Sequence, residues 1–172
     1  ATDFFFFFTI PVGNRITGFT AWSSFYLSGY SISVSFIVGL APTLDNGTLA
    51  LIDIVIPRTV VANMAVLHYE PTNTGFLLTN DNSVATNYVV STGTLSTNTI
   101  YTVFVYAPAG GSDITMALFG NTSSGTTLVA HGVATTTLPA TAATLYWTYA
   151  GRDVASSGTV FRVGEIGACA RG

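Results

Sequence analysis

Residues Ile100 to Tyr106 narrow what this chain can fold into more than any other stretch. In an extended segment Tyr101, Val103 and Val105 fall on one side, and Ile100, Phe104 and Tyr106 on the other. β-Branched and aromatic residues suit a pleated, packed surface, and here they occupy both faces. A strand apolar on both faces is expected to be covered on both, or to lie central in a sandwich. Pro108, Gly110, Gly111, Ser112 and Asp113 break the run. Ile114, Met116 and Leu118 then alternate with Thr115 and Ala117, which predicts a second strand with one apolar face. Thr97 to Asn121 thus reads as two strands around a sharp turn.

The same signal recurs along the chain. Tyr30 to Leu40 alternates most cleanly, with Ile32, Val34, Phe36 and Val38 predicted inward and Ser31, Ser33 and Ser35 outward. Asn46-Gly47 predicts a tight hairpin, followed by an apolar strand from Leu49 to Ile56. Further strands are predicted at Phe19–Leu27, Val60–Tyr69, Phe76–Thr79, Tyr88–Ser91, Leu128–Val133, Thr144–Tyr149 and Thr159–Ile166. Asn121 to Thr127 reads as a polar loop. Ten or more short strands at near-regular spacing define an all-β chain, an antiparallel β-sandwich or jelly roll. With 172 residues it is expected to form one domain: an apolar N-terminal segment, 1–13, and a single sandwich over 14–172.

Composition excludes several partners. Charged residues make up 8% of the chain and hydrophobic residues 49%, with a net charge of −3 and no lysine. Arg15, Arg58, Arg152, Arg162 and Arg171 are scattered. Nucleic acid needs clustered cations, so it is not an expected partner. No apolar stretch reaches the roughly 18 residues of a membrane span, so insertion is not expected. Cys169, the single cysteine, reads as a small buried hydrophobe.

Phe4, Phe5, Phe6, Phe7 and Phe8, followed by Ile10, pose a packing problem. Five consecutive aromatics cannot all face one core from one strand. The run lacks the basic flank and small-residue cleavage site of a signal peptide. Two arrangements fit: the first strand of this domain's own core, or a donor strand that completes a neighbouring copy's sheet.

The order of the pieces resembles the concanavalin A-like lectin/glucanase jelly roll in its laminin G-like form. SISVSFIVG, GTLALIDI, TNTIYTVFVYAPAGGSDITMALFGN, LPATAATLYWTYAGRD and FRVGEIGACAR stand in the family's order. Arg162, Glu165 and Arg171 match its closing strand, while Gly164 replaces an aspartate and Thr102 stands where a histidine is frequent. The resemblance implies a sheet carrying an aromatic platform for glycans, with Trp147, Tyr149 and Trp22 as candidates and Tyr146 beside them. It also implies calcium as the one plausible metal. Asp81, within Asn80-Asp81-Asn82, is the candidate ligand, and Asp153 the second. No other cofactor is expected.

Catalysis is not expected. A glycosidase of this fold needs two carboxylates spaced on one strand, and no two of the eight acidic residues lie within four positions of each other. His68 and His131 have no acid or thiol nearby in sequence, and no Gly-x-Ser-x-Gly elbow occurs. Asn46-Gly47-Thr48 and Asn121-Thr122-Ser123 match the N-glycosylation pattern in predicted turns. The reading that follows is a non-enzymatic structural subunit of an extracellular filament or virion surface. Head-to-tail contacts between its copies would involve N-terminal strand exchange. The alternative is a carbohydrate-binding or adhesion module; a glycosidase is remote.

Overall fold

The computed structural model describes residues 2–28, 34–42, 62–70, 74–83, 85–153 and 160–170. Among these residues the secondary structure is all strand: β1 (Thr2–Gly13), β2 (Phe19–Ser28), β3 (Val34–Ala41), β4 (Ala65–Tyr69), β5 (Gly75–Asn80), β6 (Thr86–Gly93), β7 (Ile100–Ala107), β8 (Ile114–Thr122), β9 (Gly125–Ala134), β10 (Leu145–Asp153) and β11 (Val160–Ala170). No helix among them is long and apolar enough to cross a membrane. The strands form two antiparallel sheets, one ordered β1-β10-β3-β4-β5-β6 and the other β11-β2-β7-β8-β9. The predicted hairpin and strand at 44–56 lie outside the described residues.

The core is the layer between the sheets. Phe25, from β2, meets Phe36, from β3, with ring centroids 5.3 Å apart. Phe36 in turn stacks on Tyr69 of β4 at 5.3 Å and lies 5.6 Å from Phe161 of β11. Aromatic pairs at such distances contribute about 0.5–1.5 kcal/mol each beyond the area they bury. Phe36, Val38 and Leu40 face this layer, as their alternation requires. Ser35 points the other way but is also buried, donating to the Tyr69 carbonyl. That second face carries its own cluster of Ile37, Ala41, Met64, Val66, Leu78 and Ala150, all closed off from water. The six-stranded sheet is therefore covered on both sides along β3 and β4.

β7 is the middle strand of the five-stranded sheet, the central position its sequence predicts. Only one of its faces is covered, however. Tyr101, Val103 and Val105 are buried in the core, while Ile100 is exposed and Phe104 and Tyr106 are half-exposed.

The aromatic N-terminal run pairs within this chain's own sheet. β1 is an edge strand, registered against β10 from Thr2↔Asp153 to Phe7↔Thr148, with irregularities around Pro11. The donor role expected for Phe4–Phe8 and Ile10 thus meets a segment already paired in its own sheet.

Two sets of polar contacts pin the ends. Arg15 is buried and donates to the carbonyls of Pro139 and Gly111, each at 2.7 Å. Burial lowers its pKa, and Asp113 opposes that effect. Tyr69 and Tyr101 accept hydrogen bonds from the backbone amides of Leu95 and Ser96, which fastens the β6–β7 connection. Tyr149 reaches across the core to the Ser23 hydroxyl, and burial pushes its ionisation well above the usual tyrosine range. Below pH about 10 it is neutral whether folded or unfolded, so it adds no pH dependence. Above that, the unfolded chain ionises first. Stability should then fall by about 1.4 kcal/mol per pH unit from this residue. Urea unfolding between pH 9 and 11 checks this, with a shallower decline expected in Tyr149→Phe.

Candidate functional site

Strand alternation assigns every β2 side chain to a layer. Phe19, Ala21, Ser23, Phe25 and Leu27 point into the core, so Thr20, Trp22, Ser24 and Tyr26 point away from it. Antiparallel register carries the pattern across the sheet. Trp22 pairs with Phe104, Thr20 with Tyr106, Ser24 with Thr102 and Tyr26 with Ile100. Phe104 then pairs with Ala117 and Thr102 with Phe119, and Ala117 with His131. The outward face of the five-stranded sheet is therefore an array of Trp22, Tyr26, Phe104, Tyr106 and Phe119. All five are half-exposed.

Polar groups are set among these rings. The Trp22 indole donates to Glu165 Oε1 at 3.3 Å. The Tyr26 hydroxyl donates to Asn98 Oδ1 at 2.9 Å, and Asn98 sits in the left-handed region with φ 59°. Ser24 and Thr102 share a hydrogen bond at 2.9 Å. Arg162 is exposed and registered opposite Tyr26. His131 is exposed on β9, while His68 is buried on β4. Gly167 is registered opposite Trp22, and a Cβ there would overlap the indole. The ring thus lies directly on the β11 backbone, an approach only glycine permits.

The remaining predicted site residues fall elsewhere. Trp147 and Tyr149 share a face, as their spacing predicts, but that face is the core: Trp147 is 2% exposed and Tyr149 fully buried. They are packing residues, not a glycan platform. Asp81 Oδ1 accepts hydrogen bonds from Ser83 N and Ser83 Oγ at 2.8 Å and from Ala85 N at 3.1 Å. Its carboxylate closes a turn. The side chain of Asp153, and all of Asn46, lie outside what the structure describes. No group of three or more metal-ligating side chains gathers among the described residues. Asn121 lies near the β8 end of a tight hairpin rather than in a loop. β8 runs to Thr122 and β9 begins at Gly125. Cys169 is exposed on β11, not buried.

A second surface lies at the opposite edge from the β6–β9 contact. β1 and β11 are both edge strands, and between them is a cleft of about 410 Å³. It is lined by Phe8, Ile10, Pro11, Val12, Trp147, Ile166, Gly167 and Ala168. None of these is charged, and Ile10 is 78% exposed. The Trp147 indole donates to the Gly167 carbonyl at 3.4 Å.

No protein-family model matches the chain, and no curated protein matches it significantly. Solved structures do. Lectin II from Ulex europaeus aligns over 96% of this chain and 80% of its own, with a TM-score of 0.53 at 12% identity. Lectin I from the same organism, in complex with the methyl glycoside of α-L-fucose, covers 91% of this chain and 75% of its own, at 0.54 and 12%. A family 7 alginate lyase, A1-II′, covers 94% of this chain and 64% of its own, at 0.50 and 11%. The fold is the concanavalin A-like jelly roll, shared by binding proteins and enzymes alike.

The contact between Trp22 and Gly167 makes a direct prediction. Gly167→Val should lift the indole off β11 and break its bond to Glu165. The change should appear as a red shift of tryptophan emission, absent from the same substitution in a Trp22→Phe background.

Proposed function

We propose that this chain is a non-catalytic carbohydrate-binding module whose binding surface is the outward face of the five-stranded sheet. The observation that carries this reading is the row of aromatic rings on a sheet face turned away from the core. Half-exposed aromatics in such numbers leave apolar surface in water, and grouped apolar surface marks an interaction site. Sugars match this surface chemically. A pyranose presents an apolar C–H face, suited to Trp22 and Phe104, and a rim of hydroxyls. Glu165 and Asn98 accept from such hydroxyls, Arg162 donates to them, and Thr102 and Ser24 can do either. The fold neighbours support the class of ligand, since they include a lectin complexed with galactose and an alginate lyase complexed with its substrate.

A glycan array probed with the whole chain tests this. Binding should weaken about tenfold or more in Trp22→Ala and in Phe104→Ala, the loss typical of a central aromatic contact. Circular dichroism confirms that each variant folds. A wild-type chain that binds no glycan, or variants that bind as well as wild type, would sink the reading.

A second reading is a structural subunit that self-associates on a filament or virion surface. The edge cleft favours it. β1 and β11 are 12 and 11 residues long, and long exposed edges are templates for pairing with another chain. Either role suits a location outside the cell or on a virion. If the edge mediates assembly, sedimentation should show association rising with concentration, abolished in Ile10→Asp. A monomer at every concentration would count against this second reading alone.

A further inference from the structure

We propose that Asn121 is an N-glycosylation site whose glycan covers an apolar patch that the protein leaves open. The sequence motif Asn121-Thr122-Ser123 is placed at the β8–β9 hairpin, where Thr122, Ser123, Ser124 and Gly125 are all exposed. Asn121 shares the outward face of Phe119 and is registered between Ile100 of β7 and Thr126 of β9. Its Oδ1 accepts the Thr126 hydroxyl at 2.5 Å, which fixes the amide plane. Among the described residues nothing bonds its Nδ2, the atom that carries an N-linked sugar. The flanking side chains are apolar and wet: Ile100 is 49% exposed and Leu128 55%. Leu128 pairs with Phe119, so Ile100, Phe119 and Leu128 surround the Asn121 position. The first sugars on Nδ2 would lie across them and replace their contact with water. Phe119 and Tyr26 belong to the aromatic array, so the glycan would cover the hairpin end of it; Trp22, four residues further along β2 and about 13 Å away, would stay open.

The modification requires an oligosaccharide donor linked to a lipid pyrophosphate. Nδ2 attacks the anomeric carbon, a C–N bond forms, the bond to the pyrophosphate oxygen breaks, and Nδ2 loses one proton. The lipid pyrophosphate leaves, with no change in oxidation state.

The test uses Asn46→Gln, which leaves Asn121-Thr122-Ser123 as the single acceptor motif, secreted from a eukaryotic host. Intact-mass measurement should show one glycan, removed by a peptide amidase that leaves aspartate at position 121. Ser123→Ala, which keeps Asn121 itself, should show none. Enzymatic deglycosylation should raise the fluorescence of an apolar-surface dye several-fold, and Ile100→Thr with Leu128→Thr should abolish that rise. An unmodified Asn121, alongside a modified control protein from the same cells, would overturn the site. Dye fluorescence that is the same with and without the glycan would overturn its covering role.

Discussion

The packing of Phe36 against Phe25 joins the two sheets, and the rest of the molecule depends on it. Once Phe25 points into the core, alternation leaves Trp22 and Tyr26 outside. A slip of one residue in β2 would bury Trp22 and expose Phe25, exchanging every side chain between faces. The same register places Phe104 and Tyr106 outside because Tyr101, Val103 and Val105 are inside. The aromatic outer face is thus a direct consequence of how the core is packed. It was not added by a loop.

The period-2 signal was legible where one face is apolar, as in Phe36, Val38 and Leu40, and it placed most of the strands. What it does not encode is which face of a strand meets which sheet. Trp147 and Tyr149 are two apart and share a side, but nothing local says that the side is inward. Trp22 could be assigned only through Phe25, three positions away and therefore on the opposite face. Ile100–Tyr106 held the clearest clue to the site. Its second apolar face predicts a cover that the fold does not supply, and that uncovered face is where the aromatic array lies. Polar composition also misled at Asn121–Thr127, where a turn of two residues, Ser123-Ser124, suffices to continue the strands.

Gly167 lies where the two candidate surfaces meet. The Trp22 indole rests on it from the outer face, and the Trp147 indole binds its carbonyl beside the edge cleft. One glycine on an edge strand therefore separates a face with both rings and polar groups from a cleft lined without charge. The first has the mixed chemistry that hydroxylated ligands require. The second has the chemistry of a contact between apolar surfaces. The fold itself does not choose between binding and catalysis, so the assignment rests on the side chains of the outer face.

The two tryptophans also provide the most direct test. Their indole N–H groups give two resolvable proton–nitrogen NMR signals, one from the outer face and one from beside the cleft. On titration with a glycan that the chain retains, the Trp22 signal should shift progressively and saturate while the Trp147 signal stays in place. A Trp147 signal that moves while Trp22 remains fixed would contradict the account and transfer the binding role to the edge cleft.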